Sequence, residues 1–228
     1  MKIKKSVQKI LDYPNKFKPK AMPFLPYDLQ KKLDKYFNYK KGFFIEVGAN
    51  DGYSQSNTYV LEKQRKWRGV LVEGIPELYE QCKANRKRSK IFNCALVSDQ
   101  YSGQTATMHY AHLMSLVEGS LKTSQAQQEF IEAGINVQKL DGSYTVEVPV
   151  RTLESILDEV KPTRIDLLCL DVEGYEFQVL QGMNISKYHP KFIMVEARFF
   201  DEVNGLLEDK YDMIEQLTVH DFLYKYRD

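Results

Sequence analysis

From residue 43 onward, short apolar runs alternate with longer amphipathic ones. The apolar runs cover 43–47, 69–73, 91–97, 165–170 and 192–196. Each is apolar almost throughout, as strands covered on both faces must be. Segments 54–65, 76–85, 153–159 and 175–182 place their apolar residues at helical spacing. Short buried strands alternating with helices are repeated βα units. They predict an α/β, Rossmann-like fold, doubly wound around a mainly parallel sheet.

Two stretches break the alternation. Residues 98–150 hold two segments of alternating polarity, 105–110 and 144–150, around a polar helical stretch at 124–133. This reads as an inserted hairpin or lid at the rim of the sheet, where it shapes an acceptor pocket or covers an edge strand. After Glu196 the pattern gives a helix and one strand-like segment, 220–226. Such an incomplete sheet edge would invite pairing into a homodimer. Residues 1–42 are rich in lysine and interrupted by Pro14, Pro19, Pro23 and Pro26, with one helix expected at 27–37. They read as a basic, helical N-terminal extension to a domain spanning 43–228.

Composition changes this picture little. With 228 residues, 43% hydrophobic and 28% charged, the chain can bury the core of one domain. The net charge is +1, but Lys2, Lys4, Lys5, Lys9, Lys16, Lys18 and Lys20 face Asp12 alone, which leaves about −5 on the rest. The basic arm has no apolar partner stretch, so it reads as solvated and not as a nucleic-acid or membrane element. No leader-like apolar run and no 18-residue apolar span occur. Cys82, Cys94 and Cys169 are odd in number and set among apolar neighbours, which points to reduced thiols and a cytoplasmic location.

The chemistry concentrates in two loops. In a doubly wound sheet the ligand crevice opens beyond the strand ends where strand order reverses. If strands 43–47 and 165–170 are the central neighbours, loops 46–52 and 171–174 meet there. The first reads FFIEVGANDGYS, with Glu46, Gly48, Asn50, Gly52, Tyr53 and Ser54 around a tight turn. A dinucleotide needs G-x-G-x-x-G at such a turn and a site for pyrophosphate. Here the glycine spacing differs, and Glu46 and Asp51 would repel phosphate. The same charge suits the sulfonium and α-ammonium of S-adenosylmethionine. Glu73, ending VLVEG, stands where an acid accepts ribose hydroxyls, while Ile75, Ala95 and Leu96 are placed to pack on an adenine. The bland alternative is a plain strand-to-helix turn, with Asp51 at a helix N-terminus.

FFIEVGANDGYS, GVLVEG, TLESIL and LDVEGYEFQVLQG resemble the motifs of FkbM-family methyltransferases, a match running from about Phe43 to Glu196. The resemblance implies a class I methyltransferase fold and O-methyl transfer to hydroxyls of sugars, glycans, polyketides or other metabolites. Glu46 stands where the family usually has aspartate.

A hydroxyl acceptor must lose a proton. Asp171 is the first candidate base; Glu173, Glu196, His109 and His112 are the others. His109 and His112, three apart, point to opposite faces of a strand, so at most one reaches the site. Asp171, Glu173 and Glu196 would alternatively hold Mg²⁺. Glu173 and Glu176 have a plainer reading as first-turn charge on the following helix. A cofactor-binding module without catalysis is the reading from a different functional class. The acidic core and the missing Asn/Asp-Pro-Pro-Tyr motif speak against a nucleic-acid acceptor.

Overall fold

The computed structural model describes residues 27–227. The basic arm expected over residues 1–20 lies outside the described residues. The elements run α1 (Tyr27–Phe37), β1 (Phe43–Val47), α2 (Tyr59–Arg65), β2 (Arg68–Val72), α3 (Pro76–Asn85), β3 (Lys90–Phe92) and β4 (Ala95–Leu96). There follow β5 (Thr105–His109), a 3-10 turn (His112–Met114), β6 (Leu116–Val117), α4 (Ser124–Gln138), β7 (Thr145–Arg151) and α5 (Leu153–Val160). The chain closes with β8 (Leu167–Leu170), α6 (Glu176–Gln181), β9 (Phe192–Glu196), α7 (Phe200–Leu207), β10 (Tyr211–Gln216) and β11 (Asp221–Tyr226).

Seven strands form the main sheet in the order β10-β11-β9-β8-β1-β2-β3. β1, β2, β3, β8 and β9 are parallel, and β11 runs antiparallel to both of its neighbours. The order reverses between β1 and β8, which puts the crevice of a doubly wound fold there. Strand residues alternate between two apolar layers. Ile45, Val70, Leu168 and Ile193 pack with Leu153 and Ile156 of α5, Leu180 of α6 and Val203 of α7. Phe44, Leu71, Leu167 and Phe192 pack with Leu29, Leu33 and Phe37 of α1, Leu61 of α2 and Cys82 of α3. α1, read from sequence as part of an appendage, is thus a layer of the core.

Trp67 anchors that second layer. It is fully buried, its indole N–H donates to the Tyr39 carbonyl at 2.7 Å, and Phe37 meets it edge-on at 6.1 Å.

Three expectations need correction. The segment 91–97 is not one strand: β3 stays in the main sheet while β4 joins a second sheet, order β4-β7-β5-β6, which the insertion builds with α4 as its cover. The helix expected from residue 54 begins only at Tyr59, because residues 56–58 turn inward to hold a buried carboxylate. The C-terminal edge is complete. β10 was not recognised because YDMIEQ is polar and only its first residue is buried, as suits an exposed edge with a bulge between Met213 and Glu215. The missing edge that suggested pairing between subunits is therefore filled by this strand.

Candidate active site

The loop after β1 folds back hard. Gly48 has φ +80, and a Cβ there would lie 1.7 Å from the Asp171 carbonyl oxygen. Glycine is thus needed for the approach of the loop after β8, whereas the sequence suggested the approach of a ligand. The N–H groups of Gly48 and Ala49 both donate to the Val72 carbonyl at 3.1 Å, which ties the end of β1 to the end of β2. At Gly52 (φ +71) a side chain would strike Arg86 and Cys82.

Glu46 and Asp51 do not play the part their charge suggested. Glu46 is buried and accepts from Ser56 Oγ (3.0 Å), Asn57 N (2.9 Å), Thr58 Oγ1 (2.6 Å) and the Arg86 guanidinium (3.2 Å). Arg86, itself 1% exposed, also pairs with buried Glu62 at 3.1 Å. Asp51 accepts from the N–H groups of Tyr53 (2.8 Å) and Ser54 (2.7 Å) and from Ser54 Oγ (2.8 Å). One charge is thus neutralised by an arginine and the other braces its own turn. The acidity facing the crevice comes from elsewhere.

Glu73, at the end of β2, accepts from Asn50 N (2.7 Å) and Ile75 N (2.8 Å). Burial pushes its carboxyl up to about 7. Asn50 is a hub: its side chain also donates to the His112 carbonyl at 3.0 Å, tying this loop to the insertion.

Beyond β8 and β9 stand Asp171, Glu173 and Glu196, with one carboxylate oxygen of each within 4.8 Å of the others. Asp171 is half-buried and lines the cavity. Burial, then the neighbouring Glu196 and Glu173, hold it well above the usual carboxylate range. Glu196 is pushed up to about 7 by burial and by Glu173. Glu173, at φ +54, is held by Arg198, whose Nη2 and Nε lie 2.6 and 3.1 Å from one carboxylate oxygen. Glu176 accepts from Val172 N and Gly174 N, so it braces the loop. Asp221, first residue of β11, pairs in register with Glu196.

These raised values fix a sign. A carboxyl whose folded pKa lies above its unfolded value takes up protons on folding, so the stability it contributes is greatest at low pH. Through Glu73 and Glu196 the protein loses stability as pH rises from about 4.5 through about 7. A cation bound beside the ionised groups opposes that loss.

All these loops line one cavity of about 450 Å³, a size that accommodates a small-molecule ligand. Of the residues expected at the site, Glu46, Gly48, Asn50, Ser54, Glu73, Ala95, Leu96, His112, Asp171, Glu173 and Glu196 line it. The remaining four expected residues lie off its wall. Gly52 sits against Arg86 and Cys82. Tyr53 packs edge-on against Tyr59 at 4.9 Å. Ile75 is fully buried in the cluster of Leu78, Ala95 and Met108, so Met108 takes its place on the wall. His109 ends β5 with its Nε2 3.1 Å from Gln127 Nε2. His112 lines the wall at φ +53, and burial holds its imidazole below the ordinary range.

Sequence reasoning missed Arg86, Arg198, Asp221 and the turn holding Leu113 and Met114. Arg86 sits in NRKRSK, indistinguishable there from a solvated basic run; Arg198 had a signal in its place two residues after Glu196.

Seven strands in this order, an acid ending β2 and carboxylates at the switch point define a class: a Rossmann-like S-adenosylmethionine-dependent methyltransferase. Residues 46–226 match the Methyltransferase FkbM domain. The chain belongs to the FkbM methyltransferase family. It is also 24% identical over 194 residues to Methyltransferase sdnD of Sordaria araneosa, covering 74% of this chain and 72% of that one. A TehB-like SAM-dependent methyltransferase from Corynebacterium glutamicum superposes with a TM-score of 0.46 at 8% identity, over 99% of this chain and 97% of that one.

Proposed function

We propose that the protein methylates a hydroxyl group, of a sugar or glycan in the first instance, with Asp171 as the base. The observation that carries this reading is the state of Asp171. Among the described residues no backbone or side-chain donor holds its carboxyl, although Glu173 and Glu176 beside it are both held. An unengaged carboxyl at the mouth of the switch point is free to take a proton.

S-adenosylmethionine, when bound, supplies a methyl carbon activated by sulfonium. Glu73 is the acceptor for ribose hydroxyls, since each of its oxygens has a lone pair beyond the backbone N–H it already holds. Ala95, Leu96 and Met108 supply an apolar wall for the base. The turn around Gly48 and Ser54 offers neutral donors for the methionine end. Asp171 takes the acceptor proton as the oxygen–carbon bond forms and the carbon–sulfur bond breaks. Most of the acceleration comes from holding the oxygen in line behind the methyl group. His112 is the second proton acceptor on the wall.

The same carboxylates fit Mg²⁺, because three oxygen donors converge. Asp171 and Glu196 would hold it, with Glu173 already shared with Arg198. The ion would lower the pKa of a coordinated hydroxyl. Among the described residues, no helix is long and apolar enough to cross a membrane.

Incubation with methyl-labelled S-adenosylmethionine and a panel of glycosides and hydroxylated metabolites tests the reading. Label is expected in an alkali-stable methyl ether of a glycoside. Label in esters or amines, or none across the panel, contradicts hydroxyl transfer. Turnover unchanged after exhaustive chelation eliminates the magnesium arrangement.

A further inference from the structure

The parallel strands of the main sheet carry charge of opposite sign at their two ends. Acids stand at the ends that open on the crevice: Glu46 in β1, Glu73 after β2, Asp171 after β8 and Glu196 in β9. The other ends are basic. Lys40 and Lys41 precede β1, Lys66 and Arg68 flank the entry to β2, and Lys87, Arg88 and Lys90 lead into β3. Parallel pairing brings these three entries to one pole of the sheet, with Arg68 opposite Phe43 and Lys90 opposite Val70. Hydrogen bonds knit them together. Lys41 N donates to the Arg65 carbonyl at 3.0 Å, Arg68 N to the Gly42 carbonyl at 3.1 Å and Lys63 Nζ to the Asn85 carbonyl at 2.9 Å.

All seven of these basic side chains are exposed, and none has a carboxylate partner among the described residues. Segments 38–42, 63–69 and 85–91 contain no aspartate or glutamate. Bases are favoured where helices end, which accounts for Lys63 and Arg65 in the last turn of α2. It does not account for Arg68 and Lys90, which stand in strands. Like charges gathered on one pole repel one another, and an anionic partner relieves that repulsion. The aromatic side chains in these segments are engaged from within. Trp67 is fully buried and donates to the Tyr39 carbonyl, and Tyr39 Oη donates to Asp166 at 2.9 Å. A single-stranded nucleic acid would need aromatic faces among the bases on which to stack. What stands exposed is lysine-rich point charge, which suits a plane of anionic headgroups.

We propose that this basic pole docks the protein on the surface of an anionic lipid bilayer. The contact is with headgroups and rests on charge, so it is reversible and weakened by salt. Strands of five residues, as β1 is, place the crevice roughly 15 Å beyond the pole. The docked protein therefore opens its site toward solution. The docking goes beyond the methyl-transfer reading and does not depend on it.

The test is sedimentation of the full chain with phosphatidylcholine vesicles, pure or containing about 30% phosphatidylglycerol, at about 0.1 M salt. Binding to the anionic vesicles and not to the neutral ones is expected, falling at least tenfold at about 0.5 M salt. Each base near such a surface raises affinity about fivefold. Lys87→Glu with Arg88→Glu is therefore expected to weaken binding at least tenfold, and so is Arg68→Glu with Lys90→Glu. Lys122→Glu with Lys139→Glu, an equal change of charge in the insertion, is expected to leave binding within about threefold of the parent. The two pole pairs sit on different segments, so if melting curves show one unfolded, the other decides. Absence of binding to the anionic vesicles overturns the proposal, whether or not the chain captures a polynucleotide such as poly(U). Binding that the folded pole pairs leave within threefold of the parent, or that the insertion pair weakens as much as they do, overturns it too.

Discussion

Arg86→Met is expected to lower the melting temperature by roughly 6–20 °C, the largest stability loss for a single change near the site. The guanidinium spans two buried carboxylates, Glu46 at 3.2 Å and Glu62 at 3.1 Å, and also donates to Ser56 Oγ at 2.9 Å and Thr58 Oγ1 at 2.7 Å. Methionine fills similar space but leaves both acids without a counter-charge. Breaking a buried ion pair from one side costs about 3–5 kcal/mol, and each kcal/mol is worth about 2–4 °C in a domain of this size. Much of the loss belongs to the stranded charges and not to the missing contacts. Adding Glu46→Gln and Glu62→Gln to Arg86→Met is therefore expected to restore a large part of it. Differential scanning calorimetry of the three proteins decides the matter. A melting point for Arg86→Met within about 2 °C of the parent would mean the network contributes little.

Asp171→Asn is expected to reduce kcat by about 10²–10⁴, the usual contribution of a positioned general base, while S-adenosylmethionine affinity changes by about threefold or less. The amide keeps the shape and cannot take the acceptor proton. The folded protein holds this carboxyl well above its ordinary range through burial and the charges of Glu196 and Glu173. By linkage it destabilises the fold wherever it must ionise, so the uncharged variant is expected to melt higher than the parent at pH 8. Slower turnover with a gain in stability is a combination that a merely structural aspartate would not give. Turnover within threefold of the parent would move the base to Glu196 or His112.

Much of this architecture is readable from the chain because burial on both faces leaves a strong mark. FFIEV, GVLV and FIMVE admit few alternatives to central strands, and the boundaries of β1, α3 and β9 fall where the pattern ends. What is lost is whatever depends on partners distant in sequence. YDMIEQ is a strand only because β11 lies beside it. Residues 91–97 read as one apolar run, yet the chain changes sheets inside it, a choice made by the insertion's β7.

The candidate site divides along the same line. That acids stand at residues 46, 73, 171, 173 and 196 is plain from sequence; which of them face the cavity unpaired is not. Glu46 and Glu73 look equivalent as strand-end glutamates. One is locked to Arg86, forty residues on, and the other holds two backbone amides. The polar residues 56–58 look like the first turn of a helix, and their actual role as the cradle of Glu46 appears only when Arg86 arrives from α3's far end. Charge count is a property of the chain, whereas charge exposure is a property of the fold.

The central claim is that ionised carboxylates around the β1–β8 crevice hold a cationic nucleoside. Calorimetric titration of the protein with S-adenosylmethionine from pH 5.5 to 7.5 tests it most directly, because Glu73 and Glu196 lose their protons near pH 7. Binding is expected to tighten by roughly tenfold across that interval, with protons released on binding. Affinity that is flat or falls as the pH rises would contradict the claim.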